Sequence, residues 1–300
     1  MFDVFDDTRV FPLTSYVVPV AGGDPLVLGD RTLVMAIINV TPDSFAETSP
    51  SIDPARALDL AQAAAEQGAD LLDLGAESTR PGAGEVPEEE ELRRLLPALR
   101  AVSARVRLPI SVDTRKAGVA RAALDEGAGL VNDVSGLMYD PALGEVVARA
   151  GAGVVLMHTR GTPGQMYREA AYGDTVAEVR HELGQAMERA ARAGVPREAI
   201  VLDPGIGFAK RAGHSYEVLA GLRELAVLGR PLLVGPSRKS FLQAAVGERP
   251  AAERDWGTAA AVAAAILGGA HVVRVHAVAE MVQVARVADA IRRAGRPGAR

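Results

Sequence analysis

The sequence repeats one unit eight times, in which a short apolar run rich in β-branched residues precedes a stretch with helical spacing of apolar residues. The predicted strands span residues 33–39, 70–74, 109–113, 130–133, 154–158, 200–203, 231–235 and 271–276. The predicted helices span residues 53–67, 87–104, 114–126, 141–150, 174–193, 215–228, 240–246, 257–267 and 280–293. Eight βα units in residues 33–300 match a (β/α)₈ TIM barrel, for which about 250 residues is typical. A doubly wound open sheet is the alternative, because periodicity alone does not show closure.

Residues 1–32 lie outside the repeat and form a predicted N-terminal extension, followed by one barrel domain over residues 33–300. Within the extension, residues 16–20 and 26–28 flank the sequence Gly22-Gly23-Asp24-Pro25, which is typical of a tight turn. We expect a short β-hairpin that caps the floor of the barrel.

Charge and composition exclude several classes of function. The chain has 33 Lys and Arg against 38 Asp and Glu, a formal net charge of −5, so it lacks the basic excess that binds a nucleic-acid backbone. Cysteine is absent, which excludes disulfides, thiolate metal sites and cysteine nucleophiles. No apolar run approaches the ~18–20 residues of a membrane-spanning helix. The acidic N-terminus, with Asp3, Asp6 and Asp7, does not resemble a secretion signal. We therefore expect a cytoplasmic protein that binds small ligands.

Polar side chains stand at the end of all eight predicted strands. In chain order they are Asn39, Asp73, Asp113, Asn132 with Asp133, His158, Asp203, Ser237 with Lys239, and Arg274 with His276. In a barrel these ends converge on one mouth, where βα loops build active sites. An Asp or Asn at a strand end also commonly caps the next helix, and Asp73 before Gly75 fits that interpretation. Helix capping explains a polar residue at one strand end. Polar residues at all eight strand ends, which include both Asn of the chain and one of its three Lys, favour a functional site.

Eight short motifs occur in the order found in one enzyme family. They are Asn39-Val-Thr-Pro-Asp-Ser-Phe45, Glu77-Ser-Thr-Arg-Pro-Gly82, Ser111-Val-Asp-Thr-Arg-Lys116, Asn132-Asp-Val-Ser-Gly136, Met157-His-Thr-Arg-Gly-Thr-Pro163, Leu202-Asp-Pro-Gly-Ile-Gly-Phe208, Ser237-Arg-Lys-Ser-Phe241 and Arg274-Val-His276. Together they resemble the dihydropteroate synthases. The resemblance implies a (β/α)₈ barrel, commonly homodimeric, that joins a dihydropterin pyrophosphate to p-aminobenzoate and releases pyrophosphate in folate biosynthesis. The alternatives are a pterin-binding methyltransferase and a non-catalytic pterin-binding homologue.

An ionised carboxylate accepts hydrogen bonds from two adjacent N–H donors, which is the pattern at the edge of a pterin. The resemblance implies that six residues bind the pterin: Asp113, Asn132, Met157, Asp203, Phe208 and Lys239. In this set Asp203 anchors the ring and Lys239 reaches the pterin carbonyl beside the second substrate. Judged from the residues alone, Asp203 also fits a turn before Pro204, Lys239 a solvated surface charge, and the two apolar residues core packing.

Arg274 and His276 alternate with Val275, so both side chains leave the last strand on the same face. An arginine fork and a protonated histidine both suit phosphate oxygens. By resemblance, Asn39 and Thr79 complete the pyrophosphate site, and Asn39 is the protein ligand of Mg²⁺, whose other ligands are water and phosphate. The expected catalytic residues are Asp113, Lys239, Arg274 and His276.

The resemblance also implies which residues hold p-aminobenzoate. These are Thr79, Arg80, Ser237 and Arg238, with the loop around Thr79 and the loop 41–50 closing over the substrates. Three positions depart from the common pattern of the family: Ala76, the segment 46–50 and Ala277. We interpret Lys116 and Lys210 as ordinary helix or loop charges, and the histidine spacings contain no zinc motif.

Overall fold

Eight parallel strands form a barrel in the computed structural model, which describes residues 13–40, 53–77, 84–161 and 170–295. The strands are β1 (Tyr16–Val18), β2 (Leu26–Leu28), β3 (Leu33–Asn39), β4 (Leu71–Gly75), β5 (Ile110–Asp113), β6 (Leu130–Asp133), β7 (Gly153–Met157), β8 (Ile200–Asp203), β9 (Leu233–Val234) and β10 (Val272–Val275). Barrel strands pair in the order β8-β7-β6-β5-β4-β3-β10-β9. A parallel bridge between Leu202 and Leu232 joins the two ends of this order. The predicted barrel is confirmed, and the open sheet is excluded.

Helices follow the strands and form the outer layer. Their bounds are α1 (Pro54–Glu66), α2 (Glu88–Ser103), α3 (Ala117–Asp125), α4 (Ala142–Ala150), α5 (Thr175–Arg192), α6 (Ala212–Ala220), α7 (Gln243–Val246), α8 (Asp255–Leu267) and α9 (Val278–Ala294). Two starts are fixed by aspartate caps, since Asp53 accepts from the Ala55 N–H at 2.9 Å and Asp174 accepts from the Ala177 N–H at 3.0 Å. Within the described residues, no helix is both long and apolar enough to cross a membrane.

Two predicted helices differ from the observed ones. The prediction of one helix over residues 215–228 is wrong, because α6 ends before Gly221 and a 3₁₀ helix, Leu222–Leu228, follows it. A Cβ at Gly221 would stand 2.7 Å from Val176, so the break lies where the chain passes closest to α5. The predicted helix over residues 240–246 begins as a 3₁₀ turn, Ser240–Leu242, which α7 continues for one turn.

Apolar residues form two layers that alternate along each strand. In β3, Val34, Ala36 and Ile38 pack outward against the helices, whereas Leu33 and Met35 pack inside the barrel. The interior layer also contains residues of the antiparallel hairpin β1–β2: Val18, Leu26 and Leu28. The predicted hairpin is therefore present, and it seals the amino-terminal floor of the barrel. The division of the chain at residue 32 stays a prediction.

Candidate active site at the barrel mouth

The inward-facing positions that are apolar at the floor become polar two residues later. Three pairs show this rule: Leu71 and Asp73, Leu130 and Asn132, and Val201 and Asp203. Because alternate residues of a strand share a face, these polar side chains point into the barrel at its carboxyl end. The same rule places Arg274 beyond Val272. The sequence pattern thus assembles a polar mouth above an apolar floor.

Arg274 lies between two carboxylates at this mouth. Its Nε donates to Oδ2 of Asp73 at 2.6 Å, and its Nη2 donates to Oδ2 of Asp113 at 2.9 Å. Asn132 Nδ2 donates to the same Asp73 oxygen at 2.9 Å. Asp73 is 0% exposed and accepts these bonds instead of capping a helix, so its interpretation as a cap is wrong. The sequence does contain a signal for this placement, because Asp73 stands two residues after the inward-facing Leu71 and therefore lies on the same face of the strand.

Burial controls the proton affinity of the two carboxyls expected to bind the pterin. It raises the pKa of Asp113 to about 7, a shift that the nearby positive charge of Arg274 reduces. It also raises the pKa of Asp203, against the opposing influence of Lys239 and of the Gly205 N–H. That N–H donates to Asp203 Oδ1 at 2.7 Å. A ligand that donates hydrogen bonds to these two carboxyls would favour their ionised forms.

Lys239 reaches the mouth from the segment after β9. Its Nζ donates to the carbonyl oxygen of Ile206 at 2.6 Å and lies 4.4 Å from the centroid of the Phe208 ring. Burial lowers the pKa of this ammonium to about 8, although the charge of Asp203 opposes that effect. Lys239 is half-buried and bonded to the loop after β8, so its side chain does not extend freely into solvent.

Ser237 and His276 meet on the same side of the mouth. The Ser237 Oγ accepts from the His276 N–H at 3.1 Å and lies 2.9 Å from His276 Nδ1. Arg238 points elsewhere: its Nε and Nη2 each donate to a carboxylate oxygen of Asp255 at 2.8 Å. The guanidinium expected at p-aminobenzoate is thus partly engaged by α8.

The remaining predicted residues have simple placements. Asn39 ends β3 and is half-buried, Met157 ends β7 and is buried, and Phe208 is half-buried in the loop after β8. Thr79 and Arg80 lie outside the described residues. In the described ranges, no three His, Asp or Glu residues group closely enough to hold a metal ion by themselves. An ion at this mouth therefore depends on other ligands.

The two lysines interpreted as ordinary charges are buried and engaged. Lys116 forms ion pairs with Glu77 and Glu91, the latter at 2.5 Å. Lys210 lies under the loop after β8, where burial holds its pKa well below its usual range. Sequence reasoning missed both, because the contacts depend on the paths of loops that periodicity does not describe.

Comparison with known proteins matches this architecture. Residues 35–276 match a family described as pterin binding enzyme. The dihydropteroate synthase of Synechocystis sp. is 45% identical over 263 residues, which cover 88% of this chain and 91% of that protein. The structure of Xanthomonas albilineans dihydropteroate synthase with 4-aminobenzoic acid has a TM-score of 0.85 at 41% identity, covering 92% of this chain and 98% of the other. The complex of that enzyme with 7,8-dihydropteroate has a TM-score of 0.82 at 39% identity, covering 91% and 98%.

Proposed function

Because the chain belongs to the pterin-binding enzymes and, among them, to the dihydropteroate synthases, we propose that it condenses 6-hydroxymethyl-7,8-dihydropterin pyrophosphate with p-aminobenzoate. The products are 7,8-dihydropteroate and pyrophosphate. One observation carries the proposal for this chain: Asp113, Asn132 and Asp203 share one mouth with Arg274 and Lys239, so hydrogen-bond acceptors for a heterocycle adjoin cations for an anion.

The pterin binds through the buried carboxyls. Asp203 Oδ1 accepts from the Gly205 N–H and keeps a second lone pair, so the two oxygens of Asp203 together accept from the amino and ring N–H groups of the pterin. Asp113 and Asn132 complete the recognition of the ring, while Met157 and Phe208 form its apolar walls. Hydrogen bonds from the pterin offset the effect of burial, which raises the pKa of Asp113 and of Asp203.

Pyrophosphate leaves the exocyclic methylene carbon of the pterin with the electrons of the carbon–oxygen bond. The arylamine nitrogen forms its new bond to that carbon and loses one proton to water or to the released pyrophosphate. Ring electrons help to break the carbon–oxygen bond, and the carboxylates stabilise the cationic character that develops. Arg274 and His276, with Thr79, bind the departing anion. Arg274 also orients Asp113 through their ion pair, so one side chain serves both ends of the reaction.

The mouth suits a magnesium ion through one protein ligand. Asn39 offers a hard amide oxygen at a half-buried strand end, and Mg²⁺ keeps most of its ligands as water and phosphate oxygens. When bound, the ion supplies positive charge that offsets the charge of pyrophosphate.

p-Aminobenzoate lies against the segment after β9. Ser237 and the N–H groups of Arg238 that Asp255 does not occupy contact its carboxylate, together with Thr79 and Arg80. Lys239 reaches the pterin carbonyl beside this substrate. We also propose that the protein is a cytoplasmic homodimer.

Pyrophosphate release measured with each substrate alone and with both tests the function. We expect release only when the pterin substrate, p-aminobenzoate and Mg²⁺ are all present. Release that is indifferent to the arylamine would contradict the proposal. Pterin binding without any release would favour the non-catalytic homologue.

A further inference from the structure

A buried lysine with no role in the proposed chemistry lies beneath the loop that carries Asp203. Lys210 is 1% exposed and is among the largest fully buried side chains. Its Nζ lies 2.7 Å from Nδ1 of His158 and donates to the carbonyl oxygens of Gly205 at 3.1 Å and Phe208 at 3.2 Å. An ammonium has three N–H donors, and these three acceptors match them.

The loop 203–208 depends on these bonds for its shape. Gly205 and Gly207 adopt φ values of +68° and +79°, and a Cβ at Gly205 would stand only 1.9 Å from the carbonyl oxygen of His158. The loop therefore lies directly on His158 and turns its carbonyl groups inward. Lys239 holds the Ile206 carbonyl from the mouth, and Lys210 holds two others from below. Because the Gly205 carbonyl also accepts from the Phe208 N–H at 3.0 Å, loss of Lys210 would be most costly at the Phe208 carbonyl.

His158 connects this lysine to the outer helix. Its Nε2 lies 3.0 Å from Oε2 of Glu182 on α5. Burial lowers the pKa of His158 to about 4, so the ring is neutral near pH 7 and only one nitrogen carries a proton. Glu182 is a carboxylate and accepts, which makes Nε2 the donor and Nδ1 the acceptor of the Lys210 bond. The backbone N–H of His158 in turn donates to the carbonyl oxygen of Asp203 at 2.8 Å.

We propose that Lys210, together with His158, is a positioning residue for the pterin site, which fixes the loop 203–208 and thereby the directions of the Asp203 carboxylate and the Phe208 ring. The inference rests on the proposed function, since the pterin is the ligand that this loop contacts. Misplacement of a substrate-holding group by about 1 Å is enough to weaken a site substantially. On the other side of the mouth, Ser237 and Arg238 form hydrogen bonds to His276, Thr258 and Asp255, which lie outside this loop.

The floor of the barrel offers a matched control at the amino end of β8. Arg230 is 7% exposed, and it donates through Nε to the Ile200 carbonyl at 2.9 Å and through Nη2 to the Glu198 carbonyl at 2.7 Å. It is therefore a buried cation that holds backbone carbonyls at the amino end of β8, as Lys210 does at the carboxyl end. Replacing either by Met removes the same kind of contact.

Steady-state kinetics of Lys210→Met and Arg230→Met, with the Km of each substrate measured separately, test the inference. For Lys210→Met we expect the Km of the pterin substrate to rise at least about tenfold, and the Km of p-aminobenzoate to stay within about twofold. For Arg230→Met we expect both Km values to stay within about twofold. Equal changes in the two variants, or equal changes for the two substrates, would overturn the inference.

If Lys210→Met does not fold, nitrogen NMR of His158 in the unmodified protein tests the positioning role of Lys210 and His158. We expect a neutral ring with the proton on Nε2, and ring signals that shift when the pterin binds. A proton on Nδ1, or signals indifferent to the pterin, would contradict the positioning role. An unmodified protein that releases no pyrophosphate would contradict the proposed function, whereas normal release with an unchanged Lys210→Met variant contradicts only this inference.

Discussion

The two ends of the barrel use the same strands and the same alternation, yet they hold different kinds of residues. At the floor, inward-facing Leu and Val side chains pack against the hairpin β1–β2, and the buried His271 makes hydrogen bonds through both nitrogens. At the mouth, Asp73, Asp113 and Arg274 share one cluster, and Asp73 Oδ1 has no partner among the described residues. The comparison shows that the fold fixes where the inward-facing side chains lie. The residue type at each of these positions then determines whether that end of the barrel contributes to stability or to catalysis.

The largest effect is expected from removing the cation of the mouth. Arg274→Met leaves Asp73 and Asp113 buried without their shared partner, and breaking such a pair costs about 3–5 kcal/mol of stability. We also expect kcat/KM to fall at least about a hundredfold, because we propose that the same guanidinium binds the leaving group. Pyrophosphate release and urea unfolding measure the two effects. Arg230→Met at the floor is the control, and a comparable loss of turnover in it would remove the distinction between the two ends.

A substitution at the floor of the barrel should lower stability without changing catalysis. Leu28 is 0% exposed within the floor layer, so Leu28→Ala should lower the free energy of unfolding by about 2–5 kcal/mol. The Km values of the protein that remains folded should not change. Urea unfolding and kinetics at a temperature well below the Tm check both statements. A raised Km for either substrate would show that the floor influences the mouth.

A more limited change separates recognition from turnover within the mouth. Asp203→Asn keeps the shape of the side chain and loses the second negative acceptor, so pterin affinity should fall about 10- to 100-fold, or about 1.4–2.8 kcal/mol. Calorimetric titration with the pterin substrate measures this change. Affinity for the pterin equal to that of the unmodified protein would exclude Asp203 as the anchor.

The two ends should also differ in their response to pH. The folded pKa of Asp113, about 7, exceeds the ordinary value of 3.8, so its contribution to stability is fully present below about pH 4 and is lost as pH rises to about 7. In the proposed function the pterin binds to the ionised form of Asp113, so kcat/KM should rise over the same interval. Burial lowers the pKa of His271 at the floor to about 4, below its ordinary value of 6.5, so the contribution of His271 to stability is lost as pH falls through this interval, in the direction opposite to that of Asp113. We expect the contribution of Asp113 to stability to fall while kcat/KM rises. The pH profiles of kcat/KM and of the urea midpoint test this, with Asp113→Asn as the control.

Much of the mouth followed from the sequence because strands alternate strictly. The positions of Asn132, Asp203 and Arg274 are fixed by counting two residues from apolar inward neighbours, and the barrel brings them together with Asp113. Asp73 follows the same two-residue rule, but an Asp at a strand end is also typical of a helix cap, which led to the wrong interpretation.

The contacts that were missed depend on loops. His158 and Lys210 are 52 residues apart and meet because left-handed Gly205 and Gly207 fold the loop back on itself. Helical periodicity also did not show where α6 stops, since that depends on how closely Gly221 passes α5. The ion pair that turns Arg238 toward Asp255 likewise lies between separate segments.

The short strand β9 leaves a seam in the wall of the barrel. On one side β8 pairs with β7 over four residues, whereas on the other it meets the chain before β9 through the single bridge of Leu202 with Leu232. Fewer shared hydrogen bonds mean that this joint opens more readily than its neighbours. The seam separates the strand that carries Asp203 from the segment that carries Lys239, so an opening of the wall would move apart two side chains that we propose hold the same pterin.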